Sequence, residues 1–271
     1  MIGADARAII CGVVQCTDSK HLLSEQYNDD AKLNVRLALH ERFGTNPYAW
    51  HRWVFDQMSI LPGDTILEIG CGSGTLWLKN RDRLPEPNRF TLSDFSLGML
   101  TASRQALSEA GFEPRFAGAD GQALPFAAET FDVVIANHML YHVPNRAQAI
   151  DEFRRVLRPG GRMYAATNGR NHLQELVGAF ADRIDDLDQF GLESGVGQLE
   201  RSFLNVEVRR YDDALAITEV EPALAYIRSV WPDGVVAEEE VDRLRASIES
   251  AIASEGAYHV TKDAGLLIAT R

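Results

Sequence analysis

The stretch Asp64-Thr65-Ile66-Leu67-Glu68-Ile69-Gly70-Cys71-Gly72-Ser73-Gly74-Thr75 decides how this chain is read. Thr65 to Ile69 is a short apolar and β-branched run, the pattern of a buried strand. Gly70, Gly72 and Gly74 follow at alternate positions and mark a tight turn where backbone must approach something closely. Leu76, Trp77 and Leu78 then open an apolar, helix-like stretch. A glycine turn between a strand and a helix N-terminus presents free N–H groups to a ligand. The spacing narrows the ligand. A dinucleotide fingerprint needs Gly or Ala where Thr75 stands, and a phosphate-binding loop needs Gly-Lys at its end. Neither is present, and an ordinary α/β turn would carry the same glycines, so the flanking chain must decide.

Working outward, Phe90 to Phe95 reads as a second strand ending in an acid, with Asp94 20 residues past Gly74. A carboxylate at that place can accept hydrogen bonds from both hydroxyls of a ribose. Ser96 caps the next helix, whose inner face includes Met99, Leu100 and Leu107, and Gly111 ends it. A weak third strand lies at Arg115 to Ala117. The loop Gly118-Ala119-Asp120-Gly121-Gln122-Ala123-Leu124-Pro125-Phe126 precedes a continuously apolar fourth strand, Phe131 to Asn137. That strand runs into Asn137-His138-Met139-Leu140-Tyr141-His142-Val143-Pro144. In open α/β sheets ligands sit beyond the carboxyl ends of the strands, which places this cluster at a site. A helix over 145–157 follows, then the turn Arg158-Pro159-Gly160-Gly161-Arg162 and a strand from Met163 to Thr167.

The sequence Glu68-x-Gly-x-Gly-x-Gly, Asp94, Asp120-Gly121 and the string RVLRPGG together resemble the motifs of the class I S-adenosylmethionine-dependent methyltransferases, of the small-molecule, UbiE-like type. The resemblance covers about residues 60–168. It implies an α/β, Rossmann-like, doubly wound seven-stranded sheet of order 3-2-1-4-5-7-6 with the seventh strand antiparallel. It implies S-adenosyl-L-methionine as cofactor, bound by Tyr27, Glu68, Gly70, Cys71, Gly72, Asp94, Phe95, Met99, Asp120, Gly121 and Asn137. Glu68 would support the ammonium end, Asp94 the ribose and Asp120 the adenine amino group, with the Gly121 N–H at a ring nitrogen.

The transferred methyl sits on a sulfonium and is already activated. The protein must align a nucleophile and remove its proton where it has one. His138, Tyr141 and His142 are the nearest candidates for that catalytic role, against the plainer reading that they only shape the site. The i, i+4 spacing of the histidines could suggest a metal pair, but no third ligand is placed and no metal is expected. The leading function is methylation of a small molecule. The alternatives are a methyltransferase-fold protein running a non-methylating reaction such as cyclisation, and a macromolecular methyltransferase.

Outside this core the signals are weaker. A helical period runs from Asp29 through Val35, Leu39 and Phe43, with Leu33 and Leu37 alongside, to a stop at Gly44. Pro47 is placed to start a second helix bearing Trp50, Trp53, Val54 and Met58 on one face. The resemblance implies that residues 1–60 form an N-terminal segment with helices covering the cofactor, 61–168 the cofactor-binding core, and 169–271 lid helices plus the last strands. In that last region a helix is expected over Asn171 to Leu187 and a break at Gly191, Gly195 and Gly197, hinges for a closing lid. Then come a strand or hairpin from Leu204 to Ile217, helices over Glu221–Val230 and Glu239–Ile252, and a strand from Leu266 to Thr270.

Composition bounds the rest. The chain has 271 residues, 45% apolar, 24% charged, with a net charge of −12. Such a charge argues against a nucleic-acid partner. No apolar run reaches the ~18–20 residues of a membrane span, and the run Ala8 to Val14 is too short for a signal peptide. Cys11, Cys16 and Cys71 form neither a ligand pattern nor an even disulfide set, so a cytoplasmic setting is expected, as a monomer or homodimer.

Overall fold

The computed structural model describes residues 30–84, 89–178, 190–231 and 236–271. Tyr27, Phe180, Cys11 and Cys16 lie outside the described residues. The elements are α1 Asp30–Phe43, α2 Trp50–Gln57, β1 Ile66–Ile69, α3 Thr75–Lys79, β2 Phe90–Asp94, α4 Leu97–Glu109, β3 Arg115–Gly118, β4 Phe131–Ile135, α5 Arg146–Val156, β5 Leu157–Asn168, α6 Gln174–Val177, α7 Leu192–Leu199, β6 Val206–Ile217, α8 Val220–Val230, α9 Glu238–Glu255 and β7 Tyr258–Thr270. They build one seven-stranded sheet of order β3-β2-β1-β4-β5-β7-β6. β3, β2, β1, β4 and β5 are parallel, and β7 runs antiparallel to β5. This is the expected Rossmann-like topology.

The chain divides into two compact units. The first, Tyr48–Gly169 with Phe190–Tyr211 and Ala264–Arg271, holds most of the sheet. Side chains alternate along a strand, so each strand feeds both faces. Leu67, Ile69, Val134, Met163 and Ala165 pack on one face with Phe153 of α5. Ile66, Leu92, Val133, Ile135 and Tyr164 pack on the other with Trp77 of α3 and Leu100 and Leu107 of α4. Ser96 caps α4 as expected, accepting from Met99 N–H at 3.3 Å. Asn145 does the same for α5 through Gln148 N–H at 3.2 Å.

The second unit takes Met1–Pro47, Arg170–Gln189 and Asp212–Asp263. Its core gathers Leu39 and Phe43 of α1, Leu173 just before α6 and Leu176 within it, Leu224 and Ile227 of α8, and Val241, Leu244 and Ile248 of α9. Val35, placed by the helical period on that face, and Leu37, placed alongside it, are instead 37% and 38% exposed. Asp213, 2% exposed, accepts from the N–H of Thr45, Asn46 and Ala214 and pairs with Lys262. His40 stacks on His172 with centroids 5.8 Å apart and meets Tyr226 edge-on.

Several expectations are corrected. α2 begins at Trp50 after Ala49, not at Pro47. β5 starts at Leu157 and runs through Pro159, Gly160 and Gly161 rather than after a turn. Backbone bonds from Gly160 N to Arg271 O (3.1 Å) and from Arg271 N to Gly161 O (3.0 Å) pair that stretch with the chain end. Leu204 to Ile217 resolves as the single strand β6. Of the helix expected over Asn171 to Leu187, the described residues contain the one-turn α6. The glycines at 191, 195 and 197 are not a break: Gly191 precedes α7, and Gly195 and Gly197 lie inside it. A Cβ on Gly195 would stand 2.6 Å from Leu267 Cδ1, so this glycine lets α7 pack tightly against β7.

Candidate cofactor and acceptor site

The parallel register gathers the candidate residues of the first unit at one edge. Glu68 pairs with Leu92 on one side and Ile135 on the other, and Asp94 pairs with Gly118. Strands ~4.8 Å apart therefore bring the carboxyl ends of β2, β1 and β4 side by side. Past β1, Gly70, Gly72 and Gly74 all take left-handed backbone, with φ of 71°, 52° and 76°. Side chains disfavour that region, which is why the motif needs glycine. The three differ in their surroundings. A Cβ on Gly70 would lie 2.8 Å from Met139 Cβ, and one on Gly74 would lie 2.6 Å from Ser103 Oγ. A Cβ on Gly72 would meet nothing within 4 Å among the described residues. Gly72 is thus the point where this turn offers bare backbone.

Asp94 is tied to that same residue. Its Oδ2 accepts from Gly72 N–H at 2.9 Å and its Oδ1 from Ser96 N–H at 2.8 Å. Burial pushes its carboxyl pKa up, and the N–H groups of Ser96, Gly72 and Phe95 pull back. Each carboxylate oxygen has a second lone pair, so two acceptor positions remain for a diol. Glu68 is 2% exposed. Its Oε2 accepts from Trp77 Nε1–H at 2.5 Å, and Asn137 Nδ2 donates to Oε1 at 3.5 Å. Burial drives Glu68 up to about 8, against the Trp77 and Asn137 hydrogen bonds. Asn137 Oδ1 is buried with no hydrogen-bond partner among the described residues. Cys71 is buried and its thiol pKa is pushed far up by burial, so it stays a neutral, unreactive thiol.

Asp120 lies just beyond β3. Its Oδ1 accepts from Gln122 N–H at 2.9 Å and Gln122 Nε2 at 3.0 Å. A Cβ on Gly121 would sit 3.5 Å from Met139 Cε, so Met139 reaches both the Gly70 and the Gly121 turns. The sequence reading gave neither Met139 nor Gln122 a role. Nothing in a lone Met or Gln marks it. Phe95 is 39% exposed and offers Asp94 its backbone N–H, whereas Met99 is buried on α4.

His138 has left-handed backbone, φ 51°, rare for a side-chain-bearing residue and concentrated at functional sites. Its N–H donates to Ala166 O at 2.9 Å, extending the β4–β5 pairing past the strand end. Its ring lies 5.5 Å from Trp50 and 6.4 Å from Tyr141, and Tyr141 meets His142 at 4.5 Å. Trp50 also stacks on Trp53 and meets Tyr211 edge-on. His142 closes the short turn Leu140–His142, so the two histidines do not share a helical face. Among the described residues no group of three His, Cys, Asp or Glu side chains could hold a metal ion.

A bare glycine turn, a carboxylate with lone pairs left for a diol, and an orphaned buried amide oxygen beside a buried acid fit a nucleoside that carries an amino acid. The sheet order and this site define a Rossmann-like α/β domain of the methyltransferase type. Residues 67–165 match a family model described as a methyltransferase domain. Among curated proteins the chain is 33% identical over 116 residues to the ubiquinone/menaquinone biosynthesis C-methyltransferase UbiE of Teredinibacter turnerae, covering 42% of this chain and 47% of that protein. It is 30% identical over 152 residues to UbiE of Klebsiella pneumoniae, covering 55% and 59%. The chain thus spans about half the length of these relatives. Among solved structures it resembles the YcgJ protein of Bacillus subtilis, with a TM-score of 0.59 at 17% identity over 82% of this chain and 97% of that one. It also resembles the [4+2]-cyclase SpnF, at 0.57 and 16% over 93% and 95%. At such identities the likeness shows the fold alone.

Proposed function

We propose that the protein transfers a methyl group from S-adenosyl-L-methionine to a small molecule. The observation that carries this reading is the junction of Gly72 and Asp94. Bare left-handed backbone and a buried carboxylate are joined there by one hydrogen bond, at the edge shared by β1 and β2. Asp94 would take the ribose hydroxyls, Glu68 and Asn137 the ammonium group, and Asp120 with the Gly121 N–H the adenine. When bound, the cofactor supplies an electrophilic methyl on a sulfonium. The chain's own task is to align the acceptor. Orientation by itself can raise the effective concentration to ~10⁵–10⁸ M. To His138, Tyr141 and His142, the nearest candidates in sequence, we assign the removal of a proton from the acceptor, an imidazole being suited to that near neutrality. The UbiE relatives, named for C-methylation in ubiquinone and menaquinone biosynthesis, make carbon one acceptor atom to test.

Calorimetry with S-adenosylhomocysteine and with NAD tests the cofactor. Binding of the first and not the second is expected, and the reverse would overturn the reading. Stoichiometric release of S-adenosylhomocysteine during turnover of a small-molecule acceptor tests the reaction. Turnover without that release would instead favour a rearrangement on the same fold.

A further inference from the structure

Glu68 stands on the same face of β1 as Ile66, inside an apolar cluster, and Trp77 is buried in that cluster with it. The Trp77 ring cannot swing: it is packed edge-on against Phe90 with centroids 4.7 Å apart and flanked by Phe55 and Phe112 at 6.4 Å. Its backbone N–H bonds to Gly74 O at 3.0 Å, so the indole is fixed relative to the glycine turn itself. The Nε1–H points at Glu68 Oε2. That leaves Oε1 for Asn137, whose own oxygen is buried without a partner among the described residues. The titratable groups facing Glu68 are Asp94, which disfavours its charge, and Cys71, which stays neutral. A buried acid so placed is held protonated until a cation arrives.

We propose that Trp77 is a positioning residue for the cofactor: its indole holds Glu68 so that an ammonium group arriving between Oε1 and Asn137 Oδ1 is met by a carboxylate, and the Glu68 proton is released to solvent. This rests on the proposed cofactor. The balance is simple. A neutral carboxyl and an ammonium ion become an ion pair, and one proton goes to buffer. With Glu68 raised to about 8, release at pH 7 is nearly one proton per site, and affinity rises about tenfold per pH unit up to that point. The indole hydrogen bond favours the charged form. Its loss moves the midpoint upward by about one to two pH units and weakens binding at pH 7 about 10- to 100-fold.

The test is titration calorimetry of S-adenosylhomocysteine between pH 6 and 8.5, each pH in two buffers of different ionisation enthalpy. Wild-type protein should release nearly one proton at pH 7. Trp77→Phe should keep that release but shift the pH midpoint upward, and Glu68→Gln should bind with no proton release and little pH dependence. Should Trp77→Phe not fold, the wild-type protein still answers the question. Its Trp77 indole N–H resonance should titrate near pH 8 when free and stop titrating when S-adenosylhomocysteine is bound. Binding without proton release, or an indole resonance flat from pH 6 to 8.5, would overturn this inference and leave the proposed function standing. No binding of S-adenosylhomocysteine at all would overturn both.

Discussion

Two substitutions two residues apart should fail in different ways. Gly70 and Gly72 both hold left-handed backbone, at φ 71° and 52°. Alanine at either position costs about 1–2 kcal/mol for that conformation. At Gly70 the new Cβ also sits 2.8 Å from Met139 Cβ and 3.1 Å from its Cγ, an overpacking of about 1–3 kcal/mol. Gly70→Ala should therefore lose roughly 2–5 kcal/mol and, at about 2–4 °C per kcal/mol for a chain of this size, melt about 4–20 °C lower. At Gly72 the Cβ meets nothing within 4 Å among the described residues, so Gly72→Ala should melt only about 2–8 °C lower. It should nevertheless bind S-adenosylhomocysteine about 10- to 100-fold more weakly, because the methyl stands where the ligand must approach backbone, again a clash of about 1–3 kcal/mol. Differential scanning fluorimetry and calorimetry on the two variants separate the effects. Wild-type affinity in a folded Gly72→Ala variant would refute the idea that the ligand approaches the turn at this residue.

Three further outcomes are expected. Asp94→Asn keeps the side-chain shape but not the charge, so it should weaken S-adenosylhomocysteine binding about 10- to 100-fold while changing single-turnover chemistry far less; equal losses in both would move Asp94 away from the ribose. In α7, Gly195→Val should destabilise by about 1–3 kcal/mol through its clash with Leu267 and Phe190, whereas Gly197→Ala, with open space around its Cβ, should stabilise by up to about 1 kcal/mol; urea unfolding reads both, and stabilisation by both would deny the tight packing of α7 on β7. In the second unit His40 is lowered to about 4, first by burial and then by Lys262, with Asp213 opposing. The unfolded chain therefore takes up a proton on His40 that the folded one refuses, and stability falls as pH drops from about 6.5 towards 4. Wild-type protein should lose about 2 kcal/mol between pH 8 and 5 that His40→Leu does not lose, measured by denaturant midpoints; parallel pH curves would contradict this.

What the sequence determined by itself is the sheet and the positions that line its edge. Ile66 to Ile69, Phe90 to Asp94 and Phe131 to Ile135 are short apolar runs bounded by turn residues, and a parallel strand buried on both faces has no other way to look. The glycines of the turn, the acid ending β2 and the Ser96 cap announce themselves because each answers a local requirement of backbone geometry or an unpaired N–H. The tertiary structure decided what depends on distant partners. Pro159-Gly160-Gly161 looks like a turn until Arg271 supplies the hydrogen bonds that make it strand. Gly195 looks like part of a break until Leu267 and Phe190 pack against a helix that only glycine at this position lets approach. Trp77 reads as plain core, and only folding aims its indole at Glu68, nine residues away in sequence. A hydrogen bond between side chains on different elements leaves no periodic trace in the chain, because its geometry is set by packing rather than by neighbouring residues.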